Sequence, residues 1–232
     1  SVAAQSPDVI AVGAKASFGC LSPPALREFE ALLPRSTAVA MGCGLAQLGG
    51  TPKGLKRFFE QAMARLAHAH QGVVIDADGL NLLAQMPQRP VLPARVVLTP
   101  HPKECARLLH TDVETVQADR NAAALALAKQ YRAVVLLKGQ HSVITDGKQL
   151  WHNPTGNSAL AKAGTGDVLT GLIAGLLAQG LPALQAALLA AWLHGRAAEV
   201  WAQANGEHGL LASELVSALP AVLASSLRRS PA

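Results

Sequence analysis

Residues 72–79, Gly-Val-Val-Ile-Asp-Ala-Asp-Gly, show the pattern that decides the fold: a short β-branched apolar run that ends in turn-forming residues. Runs of this kind are typical of strands buried on both faces of a parallel sheet. They recur, with helical segments between them, at 8–12, 37–41, 72–75, 95–98 and 133–137. The alternation predicts an α/β fold with a mostly parallel, doubly wound sheet.

Helices are predicted at 24–33, 52–70, 79–85, 103–109 and 112–130. Residues 142–152, SVITDGKQLWH, predict a hairpin with Asp146-Gly147 as its turn. The chain beyond about Gly156 is predicted to be helical, with a frayed tail from Ser225. The length of 232 residues favours one domain over 1–232.

The uncharged stretch Val168–Leu193 is long enough to span a membrane. Gly180 and Pro182 divide it into two pieces, each of which is short for a span. We therefore expect two buried helices joined by a turn, and no membrane partner.

The composition restricts the possible partners. The net charge of +5 favours an anionic ligand, but lysine and arginine form no run, so nucleic acid is not expected. The aromatic content of 3% also leaves few platforms for stacking bases. Three widely spaced cysteines and an N-terminus without a signal-peptide pattern predict a reducing, cytoplasmic location.

Four predicted strands end in small, turn-forming or chemically active residues. Parallel sheets bind ligands at the carboxyl ends of their strands, so these residues should lie along one edge. They are Gly42-Cys43-Gly44, Asp76-Ala77-Asp78-Gly79, Thr99-Pro100-His101-Pro102 and Lys138-Gly139-Gln140-His141.

The segment Ala163-Gly164-Thr165-Gly166-Asp167 precedes a strongly apolar helix. Its glycines let backbone N–H groups approach an anion, and the helix dipole stabilises negative charge there. This predicts a nucleotide-phosphate site, with Asp167 as the catalytic residue. An ordinary helix cap at Asp167 is the alternative, although it leaves the glycines on both sides of Thr165 unexplained.

Several motifs together resemble the ADP- or ATP-dependent NAD(P)H-hydrate dehydratases, a branch of the ribokinase-like superfamily. The matching segments follow the family order and cover roughly 9–223. They are 41–45, 75–83, 98–104, 137–139, 153–171 and 209–215. The resemblance implies a ribokinase-like three-layer αβα domain.

The resemblance also implies the activity. In this family the hydroxyl of hydrated NADH or NADPH is phosphorylated by ADP or ATP with Mg²⁺, and phosphate is then eliminated. Asp167 is expected to act as the general base, because it matches the superfamily's base position. Nucleotide binding is expected at Lys138, Gly139, Gln140, His141, Ser142, Gly164, Thr165 and Gly166, and substrate binding at Gly44, His101, Asn153, Asn157 and Asp167. Glu104 is expected to hold Mg²⁺ through water.

Simpler interpretations remain open for some of these residues. Lys138 could be a surface lysine, and His141 could merely lie near the phosphate. Glu104 gains dipole energy at a helix start without any function. Asp76 and Asp78 could bind metal, but hydrogen bonding within strand-end loops is favoured. His194 is interpreted as a hydrogen-bonded core histidine.

The chain departs from the family pattern at Ala163 and Cys43, where glycine and proline are usual. The glycine-rich strand-turn-helix that usually opens the family domain is expected to be missing before Ser1. The family implies a homo-oligomer, with a tetramer as the expected size. A sugar or vitamin kinase and a catalytically silent nucleotide-binding relative are the alternatives. The choice between ADP and ATP, and the preferred epimer, do not follow from the sequence.

Overall fold

A six-stranded sheet forms the centre of the computed structural model, which describes residues 9–17, 19–46 and 52–227. The strand order is β3-β4-β5-β6-β7-β8. The strands are β3 Ala38–Met41, β4 Gly72–Ile75, β5 Val96–Leu98, β6 Val134–Leu137, β7 Val143–Thr145 and β8 Leu150–His152. A separate two-stranded hairpin, β1 Ala16–Ser17 and β2 Cys20–Leu21, precedes them in the chain.

The pairing is parallel from β3 to β6 and antiparallel from β6 to β8. This confirms a mostly parallel sheet and the hairpin predicted over 142–152. In that hairpin Thr145 pairs with Leu150, and the turn between them contains Gly147 at a φ of 88°. The hairpin therefore extends the parallel sheet on the β6 side.

The helices lie where the sequence predicts them, with shifted ends. Their bounds are α1 Leu26–Leu32, α2 Lys53–Leu66, α3 Ala77–Ala84, α4 Pro102–Leu109, α5 Val113–Ala118, α6 Arg120–Tyr131, α7 Thr165–Ala178, α8 Ala183–Asn205 and α9 Ala212–Leu227. The single helix predicted at 112–130 is wrong, because Asp119 leaves the helical conformation at φ −144° and ψ 86°. Its side chain instead caps α6 by accepting from the N–H of Ala122.

Alternate residues of the strands face two apolar layers. On β4, Val73 and Ile75 pack into a layer that includes α2, α3, α4 and α6, whereas Val74 faces α7 and α8. All three side chains are fully buried. Burial on both faces explains the continuous apolar run and gives the three layers of the fold.

The predicted strand at 8–12 is wrong over its described residues 9–12. The exposed fractions of Val9, Ile10 and Val12 are 50%, 91% and 53%. No described strand pairs with this run, so its β-branched residues have no sheet to cover.

The apolar stretch Val168–Leu193 lies in α7 and α8, as predicted. These helices pack on each other and on the sheet through residues such as Ile173, Leu177 and Ala190. Among the residues described, no helix is long and apolar enough to cross a membrane.

Candidate active site

A cavity of about 940 Å³ opens at the carboxyl ends of the strands. Its walls come from the ends of β4 and β6, the start of α4, the loop after β8, the first turn of α7 and the middle of α8. The location agrees with the edge that the strand-end motifs predict.

The first turn of α7 is held in place by its own side chains. Gly164 precedes the helix at a φ of 90°, a conformation that favours glycine. The Thr165 hydroxyl lies 2.9 Å from the carbonyl oxygen of Leu160 and 2.8 Å from that of Lys162. These bonds fold the preceding loop around the helix start, where free backbone N–H groups can bind an anion.

His194 on α8 supports the same turn. Its Nε2 lies 2.8 Å from the carbonyl oxygen of Thr165, to which it donates as the neutral tautomer. Burial lowers the pKa of His194, and the charge of Lys138 lowers it further. The interpretation of His194 as a buried, hydrogen-bonded histidine is confirmed, although its side chain also lines the cavity.

Asp167 lies in the first turn of α7 and lines the cavity. Ligand atoms of Asp167, Asp76 and Cys43 lie within 4.8 Å of one another. Burial, followed by hydrogen bonding to Asp167, raises the pKa of the Cys43 thiol to about 12. The thiol is therefore protonated at neutral pH and donates to the carboxylate.

Asp76 is almost fully buried at the end of β4. Its carboxylate accepts from the Lys138 ammonium at 2.6 Å, the Thr170 hydroxyl at 2.6 Å and the backbone N–H of Ala77 at 2.8 Å. Asp78 accepts from the N–H of Ala46 at 2.9 Å. Both aspartates thus form hydrogen bonds at the strand ends, as the sequence interpretation favours.

His101 and Glu104 form a capping box at the start of α4. The Nδ1 atom of His101 accepts from the N–H groups of Lys103 and Glu104, and Glu104 accepts from the N–H of His101 at 2.8 Å. Burial lowers the pKa of His101, as does Lys138, and burial raises the pKa of Glu104. Neutral His101 thus lines the cavity with its Nε2 3.3 Å from Glu104 Oε1.

The loop that follows β6 has an unusual backbone, with φ of 145° at Gly139 and 50° at His141. The Arg120 guanidinium fixes it by donating to the carbonyl oxygens of Leu137 at 3.2 Å, Lys138 at 3.3 Å and Gln140 at 2.5 Å. A Cβ atom at Gly139 would lie only 2.8 Å from this guanidinium. Sequence reasoning missed Arg120, because an arginine at a helix start gives no signal of a contact with a strand end.

The loop after β8 packs tightly on α8. Asn153 donates to the carbonyl oxygens of Thr155 at 3.0 Å and Ala191 at 3.1 Å. The Thr155 hydroxyl donates to the carbonyl oxygen of Trp192 at 3.0 Å. Asn157 caps a short 3₁₀ turn by accepting from the N–H of Ala159 at 3.2 Å. The amides thus shape the wall of the cavity.

The cavity brings together all but one of the residues predicted for the site. Nucleotide candidates among its lining residues are Lys138, Gly139, Gln140, His141, Ser142, Gly164, Thr165 and Gly166. His101, Glu104, Asn153, Asn157 and Asp167 also line it. Gly44 does not, although it follows Cys43, and its contact with substrate stays a prediction. Thr170 was missed, but its spacing of three residues from Asp167 places it on the same helix face.

The fold is that of the ribokinase-like enzymes. A solved ribokinase-like superfamily protein from Enterococcus faecalis superimposes with a TM-score of 0.74 at 25% identity, covering 87% of this chain and 67% of that chain. The three-layer prediction is confirmed.

Sequence comparison narrows this class to one family. Residues 2–221 match the family model described as NAD(P)H-hydrate dehydratase, and the chain belongs to that family. An ADP-dependent (S)-NAD(P)H-hydrate dehydratase from Neisseria meningitidis is 45% identical over 156 residues, which are 65% of this chain and 53% of that protein. This chain matches only 37% and 38% of the length of two further curated relatives.

A crystal structure from Bacillus subtilis agrees with this assignment. The protein is an ADP/ATP-dependent NAD(P)H-hydrate dehydratase co-crystallised with ATP and Mg²⁺ and soaked with CoA. It is 33% identical, with a TM-score of 0.71, and the match covers 88% of this chain and 79% of that chain.

Proposed function

We propose that this chain restores hydrated NADH or NADPH to the reduced dinucleotide, using ADP or ATP as phosphoryl donor. The observation that carries the proposal is the placement of Asp167 beside the open N-terminus of α7 in a cavity of about 940 Å³. Family membership and the ATP/Mg²⁺ co-crystal of the Bacillus subtilis relative support the same reaction.

The chemistry requires a better leaving group than hydroxide. Asp167 removes the proton of the substrate hydroxyl while the hydroxyl oxygen attacks the terminal phosphorus of the nucleotide. The bond from that phosphorus to the bridging oxygen breaks, which leaves AMP from ADP or ADP from ATP. Phosphate then departs with the carbon–oxygen bond electrons, the neighbouring carbon loses a proton, and the ring double bond returns.

The backbone N–H groups of 164–167 are proposed to stabilise charge on the transferring phosphoryl group, because they lie at the positive end of α7 and their residues line the cavity. Lys138 adds a positive charge beside the helix start. Its ammonium would lie 3.7 Å from a Cβ atom placed on Gly166, so the lysine is next to the proposed phosphate position. The 138–142 loop is proposed to bind the rest of the nucleotide.

His101, Asn153 and Asn157 are proposed to contact the hydrated dinucleotide. Neutral His101 has its Nδ1 engaged by α4, and its Nε2 lies 3.3 Å from Glu104 Oε1. A substrate oxygen that accepts from Nε2–H would therefore share this donor with the Glu104 carboxylate. A contact from Gly44 remains part of the proposal, since the adjacent Cys43 reaches Asp167.

Glu104 suits the second coordination sphere of Mg²⁺. One of its oxygens accepts from the N–H of His101, and the other lies 3.3 Å from His101 Nε2. A carboxylate held in this way could accept a hydrogen bond from a water molecule bound to Mg²⁺. The Mg²⁺ ion would supply the positive charge that neutralises the nucleotide phosphates. The cluster of Cys43, Asp76 and Asp167 fits Mg²⁺ poorly, because thiols are soft ligands and Asp76 already pairs with Lys138.

Recovery of reduced nicotinamide absorbance tests the function. Hydrated NADH or NADPH is mixed with the protein, Mg²⁺ and either ADP or ATP. We expect recovery with at least one nucleotide. No recovery of absorbance with either nucleotide, together with phosphorylation of a sugar or vitamin, would contradict the dehydratase function and support a small-molecule kinase.

Asp167→Asn supplies the matched variant for this assay. We expect turnover to fall by about 10²–10⁴-fold, the range for loss of a general base. Nucleotide affinity, measured by calorimetry, should stay close to that of the unmodified protein, because the phosphate contacts come from backbone groups. Near-normal turnover in Asp167→Asn would reduce Asp167 to a helix cap.

The cellular setting belongs to the same proposal. Cys20, Cys43 and Cys105 are all free thiols, which suits a reducing compartment such as the cytoplasm.

The homo-oligomer of about tetrameric size remains a prediction from the family, and size-exclusion chromatography with light scattering tests it.

A further inference from the structure

We propose that Asp76 is a positioning residue that holds the phosphate-binding Lys138 and the base-carrying helix α7 in a fixed relation. The inference rests on the proposed function, since it takes Lys138 and Asp167 as parts of the reaction centre. Asp76 contributes by fixing two groups from different elements, without contacting the reacting atoms itself.

The carboxylate of Asp76 joins three parts of the fold. Oδ1 accepts from Lys138 Nζ, at the end of β6, and from the N–H of Ala77, at the start of α3. Oδ2 accepts from the Thr170 hydroxyl on α7. The exposed fractions of Asp76 and Thr170 are only 1% and 2%. Charge-assisted bonds to a buried carboxylate are strong and directional, so they resist displacement of either partner.

Thr170 passes this constraint to the catalytic carboxylate. It follows Asp167 by three residues, so both side chains lie on the same face of α7. Oxygen atoms of Asp167 and Asp76 lie within 4.8 Å of each other. The ion pair of Asp76 with Lys138 offsets the repulsion between these two carboxylates.

Gly166 allows Lys138 and Asp76 to pack closely against the first turn of α7. A Cβ atom at this residue would lie 3.7 Å from Lys138 Nζ and 3.9 Å from Asp76 Oδ2. Lys138, Asp76 and the first turn of α7 therefore lie in contact with one another. In-line phosphoryl transfer is sensitive to such placement, because a misplacement of about 1 Å can lower the rate by roughly 10²-fold.

Two substitutions separate positioning from binding. Asp76→Asn removes the charge that fixes Lys138, and we expect kcat to fall by about 30-fold or more. Nucleotide affinity should stay equal or become tighter, because a negative charge near the phosphates is lost. Thr170→Val breaks only the bond to α7, and we expect kcat to fall by about tenfold with Kd for nucleotide within about threefold. Thr170→Ser should restore kcat.

Thr145→Val is the matched control. Thr145 is fully buried in the β7–β8 hairpin, and its hydroxyl donates to the carbonyl oxygen of Gln149 at 2.6 Å. This variant loses a buried hydroxyl outside the cavity, so it should lower stability against urea without changing kcat or nucleotide Kd. All variants are compared at equal folded fraction.

The double variant Asp76→Ala/Thr170→Val decides whether the two residues act together, because Asp76→Ala removes the acceptors of both Lys138 and Thr170. If Thr170 acts through Asp76, kcat of the double variant should match that of Asp76→Ala alone. Independent, additive losses would overturn the inference, as would unchanged kcat in Asp76→Asn or an equal kinetic loss in Thr145→Val.

Nucleotide binding, measured by calorimetry with ADP or ATP, separates this inference from the proposed function. An unmodified protein that binds nucleotide but never restores the hydrated dinucleotide contradicts the proposed function. An Asp76→Asn variant whose rate at saturating nucleotide equals that of the unmodified protein contradicts the positioning role, because only nucleotide binding would then depend on Asp76.

Discussion

Gly195→Ala tests how closely helix α8 approaches the loop that lines the cavity. A Cβ atom at this position would lie 2.3 Å from the Thr155 hydroxyl oxygen, 2.6 Å from its carbonyl carbon and 2.7 Å from its carbonyl oxygen. Carbon atoms in contact are normally about 3.5–4.0 Å apart, so the loop or the helix must move by roughly 1 Å. Two of these three atoms belong to the backbone and cannot rotate away.

The expected destabilisation follows from two losses and one gain in the free energy of unfolding. Overpacking of a closely packed contact costs about 1–3 kcal/mol, and movement of Thr155 weakens its bond to the carbonyl oxygen of Trp192, with about 1 kcal/mol lost. Alanine in place of glycine inside a helix raises the free energy of unfolding by about 1 kcal/mol. We therefore expect a net loss of about 2 kcal/mol in the free energy of unfolding.

Gly175→Ala on α7 is the matched control, because a Cβ atom there would meet nothing within 4 Å. It should raise the free energy of unfolding by up to about 1 kcal/mol. Equilibrium urea unfolding measures both variants, and the rate of nicotinamide recovery should fall only in Gly195→Ala, since its loop lines the cavity. If Gly195→Ala proved as stable as Gly175→Ala, the close approach of α8 to Thr155 would be refuted.

Three other substitutions or conditions test the remaining supports of the site. Arg120→Lys should raise the nucleotide Kd by about tenfold in calorimetry, because the single nitrogen of a lysine does not reproduce the bonds that two guanidinium nitrogens make to three carbonyl oxygens; unchanged affinity would contradict its role. Gly42→Ala should cost about 3 kcal/mol or more in urea unfolding, since its φ is 140° and the added Cβ atom would lie 1.7 Å from the Asp76 carbonyl oxygen. Stability should fall as pH drops below the ordinary histidine pKa of 6.5, because burial lowers the pKa of His194 and only the unfolded chain gains that proton. Urea unfolding of His194→Gln should lose part of this pH dependence, and an unchanged profile would assign the effect to other groups.

Local pattern was sufficient to predict the elements that are buried on both faces. The run at 72–75 matches β4 at both ends, because each of its residues is buried and the sequence must be apolar throughout. The run at 8–12 is also rich in β-branched residues, yet Ile10 is 91% exposed. Sequence pattern cannot tell whether a neighbouring strand is present, since pairing depends on contacts distant in the chain.

The site was predictable at the level of backbone motifs and less so at the level of contacts. Gly164 and Asp167 lie where a glycine-rich helix start requires them. The bonds that stabilise this corner come from residues distant in sequence, such as His194 to Thr165 across 29 positions and Thr170 to Asp76 across 94. No spacing rule links such pairs, so only the folded chain reveals them.

The charge of the cavity differs in sign from that of the whole chain. The sequence carries a net charge of +5, which predicts an anionic ligand. The lining residues, however, include two lysines, at 138 and 162, against four acids, at 76, 104, 167 and 207. One of these lysines is already paired with Asp76. Side-chain charge alone therefore disfavours a nucleotide, and its phosphates depend on the backbone N–H groups of α7 and on the cation that accompanies the nucleotide. The overall charge can draw an anion towards the protein, but the helix start has to bind it.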